Sequence, residues 1–450
     1  MIDAAGIRKA GVIGAGGAGF PTYAKLTSKA DYVILNGAEC EPLLRVDQQL
    51  MDVYAEDVIA GLEIARNLSG AAQALIGIKA KHKSAITRLN EAIDGAGLTG
   101  KIEVRIIKDA YPAGDEQILV YELTGRVVPE TGIPIMVGCV VLNSETAINI
   151  ARADRGENVT DKYLTVAGNV SKPITCKVAV GTPIKDVLRL AGIQDTAGLS
   201  VIDGGPMMGP VLENLDGYVT KKSKGYVVLD SEHPLIKKKT MSKESARRIN
   251  KSACEQCRMC TDLCPRYLIG HNMQPHKIMR SVGYNFEDID PSKTVYLCSQ
   301  CSLCSLFSCP AGLNPKAANM AAKDELIARG EKYTADKEAT YEARSARSYR
   351  QVSTKRLVKR LGLAGVDVKA PLLDGRSSEH LQATLCEIVG ISLRPHVGAP
   401  AIPVVKQGDQ VTRGQLIADV DSDKLGAAIH ASVTGTVERV DESLIIIRRS

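Results

Sequence analysis

The chain has no tryptophan and only 3 phenylalanines among its 450 residues, with 14 tyrosines. That scarcity excludes an aromatic sugar platform and a base-stacking groove for single-stranded nucleic acid. No apolar run reaches the roughly 18–20 residues that span a bilayer. The opening, MIDAAGIRKAGVIGAGGAGF, lacks the basic, apolar and small-residue zones of a secretory signal, so a cytoplasmic protein is expected. A net charge of +6 is too mild for an electrostatic nucleic-acid binder. An apolar content of 44% excludes wholesale disorder. At roughly 150 residues per domain, the length suggests about three domains. In a reducing cytosol the 12 cysteines are metal ligands or free thiols, not disulfides.

Eight of those 12 cysteines fall between Cys254 and Cys309. They form two runs, Cys254-x2-Cys257-x2-Cys260-x3-Cys264-Pro265 and Cys298-x2-Cys301-x2-Cys304-x4-Cys309-Pro310. The first spacing is that of bacterial ferredoxins, where three thiolates wrap one cubane and the fourth ligates the other. This assigns one [4Fe–4S] cluster to Cys254, Cys257, Cys260 and Cys309. The second takes Cys298, Cys301, Cys304 and Cys264. The extra residue before Cys309 predicts a local bulge. Zinc uses the same thiolates, but two complete runs, each closed by proline, favour clusters. Cys40, Cys139, Cys176 and Cys386 are isolated and read as small buried side chains.

Near the N-terminus, Gly14-x-Gly16-x-x-Gly19 follows Val12-Ile13, and Glu39 lies about 20 residues on. The spacing matches a Rossmann fingerprint, yet Pro21 would fall inside the first helix of such a turn. A glycine loop that offers backbone N–H groups to a phosphate survives that objection.

The segments Gly14-Ala-Gly-Gly-Ala-Gly-Phe-Pro-Thr22, Lys25 and Asn36-Gly-Ala-Glu-Cys-Glu-Pro42 resemble the flavin-binding subunit of respiratory complex I and the Rnf C subunit. Tyr111-Pro-Ala-Gly-Asp-Glu116 and Asn143-Ser-Glu-Thr146 resemble two further stretches of that family. The resemblance implies FMN contacts at Gly16, Gly17, Lys25, Asn36, Tyr111, Gly114, Asn143 and Thr146. It implies NADH contacts at Phe20, Glu39 and Glu116. Cys40 stands where complex I has serine. The chemistry agrees: NADH delivers a two-electron hydride, a cluster accepts one electron, and a flavin divides the pair.

The fold class expected is multidomain α/β and α+β. Residues 1–155 form a complex I flavin-subunit-like α/β domain. Its strands are expected at Tyr32–Leu35, Leu75–Ile78, Ile102–Ile107 and Ile135–Leu142, its helices at Ala55–Leu68 and Lys83–Ile93. Residues 156–236 resemble a soluble-ligand-binding β-grasp (SLBB) domain, with a helix near Ile184–Ala191. Gly204-Gly-Pro-Met-Met-Gly209 with Val219-Thr220-Lys221 matches a phrase of the Rnf C subunit, and Met207 and Met208 read as packing. Residues 237–345 hold the bacterial ferredoxin-like double-cluster domain, entered by a basic solvated linker, Lys237–Lys251, and closed by a helical stretch over 311–345. Residues 346–394 read as a connector. From Pro395 to 450, short strands with glycine turns read as a barrel-sandwich hybrid of the biotinyl/lipoyl type. Lys424 sits near the hairpin that carries the modified lysine in such domains, but the flanking pattern follows the unmodified Rnf C barrel.

In the Rnf C subunit that barrel precedes the flavin domain; here it follows the clusters. This order, with the irregular second cysteine run, resembles the cobalamin reductases of propanediol-utilisation microcompartments. The resemblance implies an oxidoreductase that takes electrons from NADH through FMN and two [4Fe–4S] clusters to cobalamin, from cob(III) to cob(II) to cob(I). It implies as partners a cob(I)alamin adenosyltransferase and a microcompartment shell protein, with no nucleic acid and no membrane span; the oligomeric state stays open. The alternative is an Rnf-like electron-transfer subunit feeding a protein or membrane partner. The chain lacks an Asp-x-His-x-x-Gly corrinoid motif, so cobalamin is expected to dock transiently near an exposed cluster.

Overall fold

The computed structural model describes residues 1–284, 293–336, 338–374 and 386–450. The first unit is a parallel sheet of β1 (Tyr32–Gly37), β2 (Gln73–Lys79), β3 (Ile102–Ile107) and β4 (Cys139–Asn143), ordered β3-β2-β1-β4. Alternate residues of β1 serve opposite faces. Val33 and Leu35 pack with Val58, Leu62 and Ile148 of the helices Ala55–Ser69 and Ser144–Asp154. Ile34 packs with Leu119 and Leu123 of the helix Glu116–Thr124. Burial on both faces explains the unbroken apolar runs of β1, β2 and β4, whereas the edge strand β3 carries Glu103 and Arg105 and is largely open to solvent. The first two helices meet at Gly61, where a Cβ would lie 1.8 Å from the Ala147 carbonyl.

The last expected strand begins later than the apolar run suggests. Pro134–Val137 is a 3-10 turn that ends at Gly138, with φ 70, and β4 starts at Cys139. Pro134 lacks the N–H a ladder needs.

The second sheet is β7-β8-β5-β6-β9, built from β5 (Asp161–Gly168), β6 (Ile174–Ala179), β7 (Leu199–Asp203), β8 (Gly225–Asp230) and β9 (Leu372–Leu373). The helix Ile184–Leu190 covers it. Met207 is fully buried while Met208 is about half exposed, so only one of that pair packs.

Three expectations for the following residues need correction. Lys237–Lys251 is not a solvated linker: the helices Pro234–Lys239 and Lys243–Ala253 occupy it. Ser242 caps the second by accepting from the Ser245 N–H at 3.1 Å. Its buried side, Ala246 and Asn250, is spaced by four residues, and Asn250 makes two hydrogen bonds with the Asn314 backbone, each 3.1 Å. In the 311–345 stretch the long helix is confined to Pro315–Ala328. Within 346–394, the helix Thr354–Arg360 is part of the core beside the cysteine loops, and β9 joins the second sheet. Residues 375–385 of that stretch lie outside the described residues.

The C-terminal unit starts earlier than Pro395. Among the described residues its first strand is β10 (Ile388–Ser392), followed by β11 (Ile402–Pro403), β12 (Gln410–Val411), β13 (Leu416–Asp419), β14 (Ile429–His430), β15 (Gly435–Val440) and β16 (Leu444–Arg449). They form two sheets, β10-β16-β15-β12 and β11-β13-β14, around one apolar core. Lys424 is exposed and paired with Asp421 at 2.7 Å.

This unit is seated on the first two. The Ala428 N–H donates to the Arg8 carbonyl at 3.2 Å, and the Val397 N–H donates to the Gly19 carbonyl at 3.1 Å. Lys221 Nζ donates to the carbonyls of Gly11 at 2.7 Å and Ala428 at 3.2 Å. Lys221, His396 and His430 are buried together at this seam. Burial holds His430 down to about 3 and Lys221 down to about 7, and lowers His396 as well. An unfolded chain would protonate both histidines below about 6.5. It then binds more protons than the native chain, so stability falls as pH drops through that window. Thermal unfolding followed from pH 7 to pH 5 should show this loss, and His430→Phe should flatten the slope.

Among the described residues, no helix is long and apolar enough to cross a membrane.

Candidate functional site

From β1 the chain moves outward to β2 and β3, then returns to β4 on β1's other side. The crevice beyond the carboxyl ends of β1 and β4 is therefore the switch point of the sheet, where open α/β folds bind ligands. Asn36 and Asn143 are paired neighbours at those two ends. Across them runs the glycine loop. It is closed by the Gly14 N–H donating to the Phe20 carbonyl at 2.9 Å and by a bridge between Ile13 and Pro21. The helix after it is Thr22–Leu26, so Pro21 precedes the helix and the Rossmann turn is not formed.

The loop is built to approach its neighbours closely. Gly16 meets Asn143, with room for no Cβ: one would lie 2.3 Å from Oδ1. Gly17 has φ 114, which favours glycine. The Ala15 N–H donates to Thr146 Oγ1 at 3.0 Å. Asn36 donates from Nδ2 to the Gly114 carbonyl at 2.8 Å and accepts from the Ala38 N–H at 3.3 Å. Cys40 makes the hydrogen bond of its position through sulfur, accepting from the Gly114 N–H at 3.4 Å. Burial, then the Glu41 charge, pushes its thiol up to about 12. Lys25 Nζ is 3.2 Å from Glu116 Oε1 and 3.2 Å from the Val141 carbonyl, and 6.0 Å from the centre of the Phe20 ring. Gly16, Gly17, Phe20, Lys25, Asn36, Gly114, Glu116, Asn143 and Thr146 thus come together from four stretches of chain.

Two expected contacts are committed elsewhere. Glu39 accepts from the N–H groups of Asp47 and Gln48, each at 3.0 Å, and so caps the helix Val46–Val53. Burial, then Asp47, pushes its carboxyl up to about 7. Tyr111 is buried, with its hydroxyl 2.8 Å from the Cys301 carbonyl and 3.1 Å from Glu41 Oε1. Glu41, which sequence reasoning passed over, also accepts from the N–H groups of Met207 at 2.9 Å and Met208 at 3.2 Å. It joins the flavin-like segment to the Gly204–Gly209 phrase. The only signal was a second acid beside Glu39, with nothing local to reveal its partner.

The two cysteine loops share a backbone pattern. Gln256 and Arg258 in the first, and Gln300 and Ser302 in the second, have φ of 55, 65, 57 and 63. Left-handed non-glycine residues at matching positions mark loops shaped for a purpose. The thiols close enough to act electrically on Cys260 are Cys254, Cys257 and Cys309. Those acting on Cys304 are Cys298, Cys301 and Cys264, with Cys260 the weakest of the four. Burial pushes Cys260 and Cys264 up to about 12, and Cys301 and Cys304 upward as well. Such thiols stay protonated unless a metal takes the sulfur. N–H donors already face the sulfurs: Leu313 to Cys309 at 3.3 Å, Gln300 to Cys298 at 3.4 Å, and Gln256 Nε2 to Cys254 at 3.2 Å. The expected bulge is a π-turn over Cys304–Ser308. Among the described residues no three His, Cys, Asp or Glu are close enough to hold a single metal ion, whereas a four-iron cubane gives each thiolate its own corner. The donor set fits iron–sulfur clusters.

Comparison with known proteins agrees with this layout. Residues 7–152 match the family described as the Nuo51 FMN-binding domain. Residues 253–314 match the 4Fe-4S dicluster domain, and 375–449 the RnfC barrel sandwich hybrid domain. The chain thus has an FMN-binding domain and an iron–sulfur domain. The C subunit of the Na(+)-translocating ferredoxin:NAD(+) oxidoreductase complex of Acetobacterium woodii is 37% identical, over 59% of each chain. Cobalamin reductase PduS of Salmonella typhimurium is 40% identical, over 98% of this chain and 95% of its own. Cobalamin reductase PduS of Citrobacter freundii is 41% identical over the same shares. The chain belongs to the PduS cobalamin reductase family.

Proposed function

We propose that this chain is an NADH-dependent reductase that passes electrons through FMN and two [4Fe–4S] clusters to cobalamin. The observation that carries the reading is one shared core. Cys301 and Leu303 of the cluster loops pack with Leu43 and Tyr111 of the flavin unit, and Cys40 lies against them. The flavin unit and the cysteine loops therefore adjoin through packed side chains, which supports electron passage from one to the other.

FMN, when bound, accepts the hydride and releases electrons singly. The residues around it have separable tasks. Gly16 and Gly17 let the backbone approach the cofactor, and Asn36, Asn143, Thr146 and Gly114 offer polar atoms at the strand ends. Lys25 supplies a cation whose charge is held in place by Glu116. Phe20 presents an apolar face beside the loop for the nicotinamide, and Glu116 a carboxylate for its ribose. Glu39 and Tyr111 support the crevice from behind through the helix cap and the Cys301 carbonyl. Cys254, Cys257, Cys260 and Cys309 hold one cluster; Cys264, Cys298, Cys301 and Cys304 hold the other.

Cobalamin as acceptor follows from the two reductases matched along nearly their whole length. Its cobalt is reduced in single steps, which suits single-electron carriers. The same kinship suggests a cob(I)alamin adenosyltransferase and a microcompartment shell protein as partners.

The test is an anaerobic assay with NADH and cob(III)alamin, with an alkylating trap for cob(I). NADH-dependent alkylcobalamin is the expected product. NADH oxidation with a dye, but none with cobalamin, would favour the second reading. That reading is an electron-transfer protein reducing another protein, as the ferredoxin:NAD(+) complexes suggest.

A further inference from the structure

We propose that the second cysteine run is the inner station of the electron path and the first run its exit, with Tyr111 as the positioning residue at the inner junction. This rests on the reading that both runs hold clusters.

Three contacts tie the group Cys264, Cys298, Cys301 and Cys304 to the flavin crevice. Tyr111, from the same stretch as Gly114, has its hydroxyl 2.8 Å from the Cys301 carbonyl, and both residues are buried. Arg266, two residues beyond Cys264, pairs with Asp115 at 2.8 Å; their side chains are 13% and 10% exposed. Asp115 caps the helix Glu116–Thr124, accepting from Gln117 at 3.0 Å. The third contact comes from the π-turn. Its extra residue carries Leu306 and Phe307 onto the core that holds Tyr111, Leu303 and Leu357. The irregular spacing thus seats the inner loop against the flavin unit.

Among the described residues, the other group touches that core only through Met259, beside Cys260. Cys254 and Cys309 pack against Met279, Leu313 and Ala318. Cys257 is exposed, and so is the adjoining Arg258. The short helix Met259–Asp262, which carries Cys260, packs against the π-turn that begins at Cys304, so the groups are side by side. Electron transfer falls steeply with distance, so the group in contact with Tyr111 and Asp115 is placed next to the flavin and the group with the exposed Cys257 next to the acceptor. One NADH yields NAD+, one proton and two electrons. The electrons traverse the two clusters one at a time, each cluster being reduced and reoxidised by one, and no bond is made or broken beyond the flavin.

The Tyr111 hydroxyl, which also lies 3.1 Å from Glu41 Oε1, places its O–H dipole against the Cys301 backbone, and local charge and polarity of this kind bear on a cluster's potential. Tyr111 therefore tunes the inner potential.

The experiment is EPR on the anaerobic, dithionite-reduced full chain. Cys298→Ala and Cys257→Ala first assign the inner and outer signals by the loss of each. Tyr111→Phe is then expected to shift the inner signal and its midpoint potential, leaving the outer signal unmoved. Rapid mixing with NADH adds a second readout. The inner cluster of Cys257→Ala should fill with parental timing, while Cys298→Ala should bleach its flavin and leave the outer cluster oxidised. A Tyr111→Phe effect on the outer signal, or on neither, overturns the order; so does prompt filling of the outer cluster in Cys298→Ala. A parent protein with iron for one cluster would instead remove the underlying reading, and this order with it.

Discussion

The Cys257→Ala chain is expected to purify without oxygen carrying about half the parent's iron and all of its flavin, since each [4Fe–4S] cluster contributes about four iron atoms. Cys257 is exposed at the rim of its loop, so the substitution opens no core cavity and fold loss is not the expected cause. On the proposed assignment, what is lost is one corner of a four-thiolate set whose other members, Cys254, Cys260 and Cys309, come from two separate stretches. Three thiolates leave one iron without a protein ligand, and an exposed corner then admits water and oxygen. The flavin crevice is assembled from residues 15–25, 36–40, 111–116 and 141–146, none of which belongs to this loop. Iron and sulfide per chain, measured with flavin absorbance on the same sample, separate the outcomes. Unchanged iron would refute the ligand assignment. Loss of iron and flavin together would mean that the two domains do not fold independently of one another.

Lys162→Met is expected to cost about 3–5 kcal/mol of folding stability, the range for removing one partner of a buried ion pair. Lys162 and Glu145 form such a pair, and each side chain is 1% exposed. Glu145 also accepts from the Tyr163 N–H at 3.2 Å. Burial lowers the Lys162 ammonium while Glu145 pulls it back up. Lys224 and Asp47, paired at 2.7 Å, lie close enough to act on it. Without Lys162 the carboxylate of Glu145 stays in the interior with no cation bonded to it. Denaturant unfolding measures the loss, and Lys162→Met combined with Glu145→Met should recover most of it, since an apolar pair of similar volume is often neutral. A single-variant loss under about 1 kcal/mol would show that this site is wetter than its burial indicates. Glu145 lies between Asn143 and Thr146, so the single variant should also shed flavin before it unfolds.

That role for Glu145 shows where reading the sequence stops. The Asn143-Ser-Glu-Thr146 stretch was recognisable because its residues are consecutive, yet the partner that fixes its acid sits on β5. Thiolate spacing was readable for the same local reason, down to the irregularity that becomes a π-turn. Tyr111 was legible as part of a motif and illegible as a contact of Cys301, because 190 residues separate them. Glu39 matched the position of a nucleotide-binding acid, but the helix that starts at Val46 claims its oxygens. Lys237–Lys251 looked like a solvated linker because charge dominates its composition. A helix needs only a narrow buried stripe to dock, and here Ala246 and Asn250 suffice. The barrel's first strand was hidden for a different reason: at five residues, Ile388–Ser392 carries too little pattern to stand out from a connector.

The seam between the barrel and the N-terminal unit bears on how such proteins are reassembled in evolution. Its grip includes main-chain atoms of Arg8, Gly11 and Gly19 and the side chains of Lys221 and Arg8, whose guanidinium donates to the carbonyls of Val420 and Asp421. None of these contacts depends on which end of the polypeptide the barrel is tied to. A tether only sets the local concentration of a module that already has a berth. Gene rearrangement can therefore move the barrel from the front of the chain, as in the Rnf C subunit, to the back without redesigning the surface on which it lands.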